Sequence, residues 1–332
     1  MRHTPLDAIP DLSDTQVIIY TPWAGQAPQI IQDQVTYPLT AKMLSVPGAR
    51  VVRGYSFYGY SFVYVIFADG TDPYWARSRV LEYLNGLQNQ LPAGVTPTLG
   101  PDATGVGWAF MYSLNAKDHD LAEVRSMQDW YLRYQLSSVP GVAEVASVGG
   151  FVKQYQITVD PDRLHAYNLS VSDVAMAVRR SNGEVGGRSV EMGEKEFILR
   201  VRGYIENVDD IKKIAVGRGP GGTPVLLGQV ADIKVGPDMR RGIAELNGDG
   251  ETVGGIVVVR YGVDTRKVIA AVKARLDQAM KSLPPDVTVT VAYDRTTLND
   301  HAVETLQSKL VEACLVVVLV CLLFLRHLRS PL

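Results

Sequence analysis

The tetrapeptide Ser-Val-Pro-Gly stands twice in this chain, at Ser45–Gly48 and at Ser138–Gly141, each time after a helical pattern and before two strands. Ahead of the first copy, Gln16 to Tyr20 is a β-branched strand closed by T-P-W-A-G. From about Pro28, Ile30, Ile31, Val35, Leu39 and Met43 then recur at helical spacing, with Pro38 threatening a kink. Behind it, V-V-R-G-Y-S-F and S-F-V-Y-V-I-F hinge at Tyr58-Gly59-Tyr60. Asp72-Pro73 then opens a helix with Val80, Leu84, Leu87 and Leu91 inward, and Val95 to Leu99 reads as a closing strand. The second copy sits in the same frame. Trp108 to Leu114 is strand-like, Asp120 and Glu123 make a capping-box-like start, and a helix runs through Leu121, Val124, Tyr131 and Tyr134. After the tetrapeptide come V-A-E-V-A-S-V, Q-Y-Q-I-T-V and a second Asp-Pro, Asp160-Pro161. A β-α-β-β-α-β order met twice predicts an internal duplication of a ferredoxin-like unit.

From Asn182 to Gly250 glycine is dense and helical spacing fades, which predicts a β-rich insertion built of hairpins. Gly255 to Arg260 resumes as a buried strand, and Asp264 caps a helix with Val268, Val272, Leu276 and Leu283 inward. Val287, Val289 and Val291 then alternate as a last strand. From Thr297 a helix runs into an apolar stretch, Leu310 to Leu325, whose only polar side chains after Glu312 are Cys314 and Cys321. A run this short also fits a buried core helix. Its flanks, Lys309 and Glu312 at one end and Arg326, His327 and Arg329 at the other, favour a membrane span. Basic residues after a span stay on the cytoplasmic side, so residues 1–309 are expected outside and 326–332 inside.

Composition agrees with an exported, folded chain. Of 332 residues 46% are hydrophobic and 20% charged, enough for two or three globular domains. Both cysteines fall in the apolar run, and the thiol-free remainder suits an oxidising compartment. No apolar segment of a signal peptide follows Met1, so the sequence reads as beginning inside a longer protein. A net charge of −2 with no clustered basic face argues against nucleic acid.

Chemistry-bearing constellations are sparse. No catalytic triad, P-loop or zinc spacing is present, and His3, His119, His165, His301 and His327 never stand at helical ligand spacing, so no catalytic or metal residue is expected. Thioethers select Cu(I), yet Met43, Met111, Met127, Met176, Met192, Met239 and Met280 are each more than ten residues apart, and several fall on helices where methionine fills gaps. Cys314 and Cys321 share a helix face as small hydrophobes, and Glu312 reads as an interfacial carboxylate. The G-R-G-P-G-G stretch, Gly217 to Gly222, precedes a strand rather than a helix and fits a hairpin tip better than a phosphate nest. Asp7, Asp11 and Asp14 in the lead-in suit turns and caps beside Pro5 and Pro10 better than a metal-attracting arm.

Four longer strings carry a resemblance. T-P-L-D-A-I-P-D-L-S-D-T-Q-V-I-I-Y-T-P-W-A-G-Q-A-P, D-G-T-D-P-Y-W-A-R-S-R-V-L-E-Y-L, G-P-D-A-T-G-V-G-W and M-R-R-G-I-A-E-L-N-G closely resemble the heavy-metal branch of the resistance-nodulation-division (RND) efflux pumps, and within it the copper/silver type. The resemblance covers nearly the whole chain and implies an α+β fold of two ferredoxin-like βαββαβ porter subdomains with a β-rich docking insertion, then one transmembrane helix. The first porter subdomain would span 1–102, and the second 105–181 plus 253–300. The docking insertion would span 182–252, and a helix over 301–328 would enter the membrane at about 310–325. It further implies a homotrimeric, proton-coupled exporter of Cu(I) or Ag(I) in the inner membrane. Its partners would be a periplasmic adaptor, an outer-membrane channel and the lipid bilayer. The family's methionine cluster lies beyond Leu332, so no metal ligand, catalytic residue or cofactor is transferred to this chain. Two rival readings are a membrane-anchored binding or sensor domain and a multidrug porter, the latter disfavoured by a count of only seven Phe. An enzyme lacks a convergent acid, base or nucleophile.

Overall fold

Alternating Val17, Ile19 and Thr21 turn one face of the strand β1 (Gln16–Pro22) inward, and the chain builds its first layer pair around that face. The computed structural model describes residues 9–87, 90–183, 185–192, 195–201, 203–240 and 242–325. Two helical segments, α1 (Pro28–Ile31) and α2 (Tyr37–Met43), are joined by a π turn at Gln32–Thr36 and followed by β2 (Ala49–Phe57) and β3 (Tyr60–Phe67). Helix α3 (Pro73–Asn85) and the two-residue β4 (Thr98–Leu99) complete the unit. The sheet order is β2-β3-β1-β4, with every pairing antiparallel. Ile31, Val35, Leu39 and Met43 from one helix and Val80 and Leu84 from the other pack on Val17, Ile19, Val63 and Val65. Asp72 caps α3, its Oδ2 accepting from the Trp75 N–H at 2.7 Å, as the Asp-Pro pair predicts.

The second half opens the same way. β5 (Trp108–Asn115) leads to α4 (Leu121–Met127), a π turn at Gln128–Leu132, α5 (Arg133–Ser137) and β6 (Val142–Gly149). The chain then leaves for a separate compact unit, Phe151–Gly242. There β7 (Lys153–Val159), α6 (Pro161–Ala166), α7 (Val171–Ser181), the hairpin β8 (Val185–Met192) and β9 (Lys195–Val201), and α8 (Val208–Lys212) come in turn. The hairpin β10 (Ala215–Arg218) and β11 (Pro224–Leu226), α9 (Leu227–Val230) and β12 (Ala231–Pro237) finish it. Leu164, Val174, Ile211, Leu227 and Val230 form its core. The chain returns as β13 (Val253–Val259), α10 (Thr265–Met280) and β14 (Thr288–Asp294), which passes without a linker into the long helix α11 (Arg295–Leu325).

The second sheet runs β14-β5-β13-β6. Read from its other edge, this is the order of the first sheet, with β5, β6, β13 and β14 in the places of β1 to β4. The duplication is therefore real, but the insertion falls inside the second hairpin rather than after it. β7, expected as the fourth strand of the duplicate, pairs antiparallel with β12 instead, and Val253–Val259 takes its slot. The inserted unit is accordingly Phe151–Gly242, where the sequence reading put 182–252. Asp160-Pro161 caps a helix of that unit, and the duplicate's own counterpart of Asp72 is Asp264. An Asp-Pro start serves any helix, so the word marked a cap rather than a slot.

Two further departures share one cause. Pro38 does not break its helix, because the π turn ahead of it widens the backbone where the pyrrolidine ring would crowd a carbonyl. The duplicate carries the same turn without a proline, so the proline exploits the turn and does not create it. There the added residue shifts the helical phase. Gln128, Leu132 and Leu136 face the core, while Tyr134 of the expected face points to solvent.

The loops at the ends of the second sandwich are clipped by His119 and Asp286. His119 Nδ1 lies 2.9 Å from Asp286 Oδ2, which also accepts from the Asp118 N–H at 3.2 Å. The hydrogen bond to Asp286, reinforced by its charge and those of Glu123 and Asp118, holds the imidazole above its ordinary 6.5. The same bond holds the Asp286 carboxyl below its ordinary 3.8. A raised histidine stabilises the fold fully below the unfolded value and loses that contribution as pH climbs through the folded one. A lowered aspartate contributes above its unfolded value and loses it as pH falls through the folded one. The clip is therefore strongest between roughly pH 4 and 6.5. We expect the His119 ring resonance to titrate above 6.5 and to fall back toward it in Asp286→Asn; a midpoint unmoved by that substitution would refute the pairing.

Candidate functional site

Where the lead-in, the turn into α3 and the linker between the sandwiches meet, the first unit holds a cavity of about 520 Å³. Asp11, Asp14, Asp69, Asp72 and Asp102 line it, with Arg77 and Tyr261. Three of those carboxylates already have work in the fold. Asp72 caps α3, Asp102 accepts the Tyr261 N–H on its carbonyl and stands 3.6 Å from the Arg260 guanidinium, and Asp11 accepts from Thr104 Oγ1 at 2.6 Å and from the Ser13 N–H at 3.0 Å. Burial alone would push the Asp11 carboxyl up, but the hydrogen bonds from Thr104 and Ser13 and the Arg295 charge outweigh it and hold the group below its ordinary range. The cavity is thus lined by hard oxygen donors and no sulfur, which is the wrong chemistry for a soft cation.

A second concavity, about 430 Å³, lies on the open face of the first sheet. Tyr55, Phe57, Tyr60, Phe62 and Tyr64 line it with Gln16, Arg53 and Ile66. Phe57 and Tyr60 stack at 5.0 Å, and Tyr55 meets Tyr64 edge-on at 5.6 Å. It presents aromatic faces and no metal-ligating set.

The residues singled out by sequence do not converge. Among the described residues no group of three His, Cys, Asp or Glu could hold a metal ion. Met43 is sealed in the first core and Met280 packs against the second, while Met176, Met192 and Met239 stand exposed in the inserted unit. The stretch Gly217 to Gly222 is the tip of the β10–β11 hairpin, closed by the Gly219 N–H to Thr223 carbonyl bond at 2.8 Å. Glu312 pairs with Lys309 at 2.8 Å on an exposed helix surface. Asp7, His3, His327 and the basic flank at Arg326 and Arg329 lie outside the described residues.

Among the described residues no helix is long and apolar enough to cross a membrane. The expected span shows why. Its uncharged part, Ala313 to Leu325, is thirteen residues, about 20 Å of helix against a hydrocarbon core of about 30 Å. The side chains from Leu310 to Val320, apolar except for Glu312, are nevertheless all exposed.

One group that sequence reasoning passed over lies close enough to Asp11 for its charge to act on that carboxyl. Arg295, the first residue of α11, is 2% exposed. A lone arginine at a strand–helix junction carries no motif, so only the fold reveals it.

The described residues thus form two like α/β sandwiches, an inserted unit and a long helix. The chain belongs to the AcrB/AcrD/AcrF family, whose model matches residues 1–332. Over 332 residues it is 56% identical to the cation efflux system protein CusA of Escherichia coli K12, covering 99% of this chain and 32% of CusA. It is likewise 56% identical to the putative cation efflux system protein SilA of Salmonella typhimurium, with the same coverage. The cation efflux system protein CzcA of an Alcaligenes strain is 35% identical over 99% of this chain and 32% of its own length. A crystal structure of a heavy metal efflux pump superposes with a TM-score of 0.91 at 33% identity, over 99% of this chain and 33% of that one. The chain thus spans 32% of the length of these curated relatives.

Proposed function

We propose that this chain is the first porter half of a proton-coupled RND pump that exports Cu(I) or Ag(I). What carries the reading is the 56% identity to CusA and SilA along the whole chain, on a fold of two matching sandwiches. Residues 1–102 form the first porter subdomain. The sheet β14-β5-β13-β6 with its helices forms the second, and Phe151–Gly242 forms the docking subdomain. Helix α11 enters the inner membrane through its exposed, largely apolar stretch, leaving the sandwiches in the periplasm. The working assembly is a homotrimer that meets a periplasmic adaptor and an outer-membrane channel. Alternating access comes from the two porter subdomains rocking as packed bodies. No ligand for the cargo and no proton carrier is assigned to these residues; the chain supplies walls, joints and subunit contacts.

A chimera tests this. Exchanging this chain for the matching third of CusA should let Escherichia coli cells lacking their own CusA grow in otherwise lethal Ag(I) or Cu salts. A correctly inserted chimera that gives no protection would defeat the proposal, and tight stoichiometric Ag(I) binding by the 332-residue chain alone would favour a binding or sensor domain.

A further inference from the structure

Three stretches distant in sequence meet at the root of α11. From the lead-in come Ile9 and Asp11, from the linker between the sandwiches Thr104 and Val106, and from the helix Arg295. The buried guanidinium donates through Nη1 to the Val106 carbonyl and through Nη2 to the Ile9 carbonyl at 3.4 Å, while Thr104 Oγ1 reaches across to Asp11 at 2.6 Å. The linker is held to the second sandwich at both ends as well. The Val259 N–H donates to the Gly107 carbonyl at 2.8 Å and the Tyr261 N–H to the Asp102 carbonyl at 3.1 Å. On the other side of the junction, Asp294 pairs with Lys273 of α10 and accepts the Thr296 N–H at 2.9 Å, so strand β14 and the first turn of α11 are one stiff piece.

Such a joint does more than stabilise. A helix continuous with a strand has no hinge of its own, so any tilt of α11 reaches the second sandwich directly. The linker and the lead-in join it to the first sandwich, and both are gripped by one planar fork whose donors are fixed relative to each other. An ammonium at the end of a flexible stem could neutralise Asp11 but could not hold two carbonyls in fixed register.

We infer that Arg295 is a positioning residue for transport, the fork that makes the first sandwich and the lead-in follow the root of α11. This rests on the proposed function, since it presumes that α11 moves during a transport cycle. It touches no cargo and takes no part in metal binding.

The test uses Arg295→Lys in the CusA chimera, with transport into proteoliposomes at increasing Ag(I), and hydrogen exchange on the 332-residue chain in detergent. We expect turnover to fall by about fivefold or more while the half-saturating Ag(I) concentration stays unchanged. Exchange should rise together in 9–14, 102–107 and 295–299, with β1 and β3 unaffected. Unchanged turnover in a folded chimera would overturn the inference, and so would faster exchange confined to the first turn of α11. If the unsubstituted chimera fails to transport, the functional reading falls, and the exchange pattern alone then decides whether Arg295 binds the three stretches into one joint.

Discussion

Gly255→Ala should destabilise the second sandwich by about 2–6 kcal/mol, although it adds a single methyl group. Gly255 pairs directly with Tyr112 across β13 and β5, and the tyrosine ring folds over the bare backbone. A Cβ built there would stand 2.5 Å from both Cζ and the hydroxyl oxygen of Tyr112. The ring cannot simply swing aside. Tyr112 is 2% exposed, and its hydroxyl donates at 2.8 Å to Oε1 of Gln128, itself fully buried in the π turn. Burial pushes the phenol far above its ordinary 10.0, so the hydroxyl is a donor at every accessible pH. Moving the ring therefore costs overpacking and strands a buried amide, two penalties of about 1–3 kcal/mol each. Thermal unfolding should read a drop of about 4–24 °C, taking about 2–4 °C per kcal/mol for a unit of this size. Tyr112→Leu combined with Gly255→Ala should be less harmful than the sum of the two alone, because the clash vanishes with the ring. Strict additivity would mean that the ring does not cover Gly255.

That contact bears on what a sequence can tell. The helical faces Ile31, Val35, Leu39, Met43 and Val80, Leu84 were legible because periodicity is a local property, and each is buried; Ile30, expected on the first face, stands exposed, and Leu87 and Leu91 are buried beyond the end of α3. The twofold β-α-β-β-α-β order was legible for the same reason. Which strand fills a slot was not, because pairing is a long-range choice. Q-Y-Q-I-T-V and G-I-V-V-V-R are both good strand sequences, and what separates them is register against β5 and β6, which pairs Gly255 with Tyr112 on one side and Ser147 on the other. The π turns were invisible too, since one extra residue in a helix leaves no compositional mark, yet it moved the core face from Tyr134 to Leu136.

Site legibility followed the same divide. Histidines, methionines and the glycine-rich tip could be weighed residue by residue, because each judgement needs only local spacing. Arg295 could not be weighed at all. Its meaning comes from carbonyls at Ile9 and Val106, far away in sequence, and a backbone acceptor has no letter in the sequence. The apolar run was read correctly as helical, while its length within the described residues falls short of a span.

The two Ser-Val-Pro-Gly turns offer a sharper experiment, because identical words stand in different surroundings. Both glycines hold a left-handed backbone, Gly48 at φ 79° and Gly141 at φ 92°, so alanine costs each turn about 1–2 kcal/mol of strain. Their neighbours differ. A Cβ on Gly48 would meet Phe67 and Trp75 at 3.6 and 3.7 Å, ordinary contact distances. On Gly141 it would stand 2.6 Å from Cγ2 of Val268, a buried side chain of α10 with a β-branched, stiff χ1. Gly141→Ala should therefore cost about 1–3 kcal/mol more than Gly48→Ala, the overpacking penalty added to the shared strain. Introducing Val268→Ala should relieve that excess in the Gly141 variant and give no relief in the Gly48 variant, which a double-mutant cycle on unfolding midpoints can read. Equal costs at the two glycines would place the whole effect in the turn and deny that α10 presses on the duplicated joint, whereas the expected inequality would show the second copy packed more tightly than the first at the same four letters.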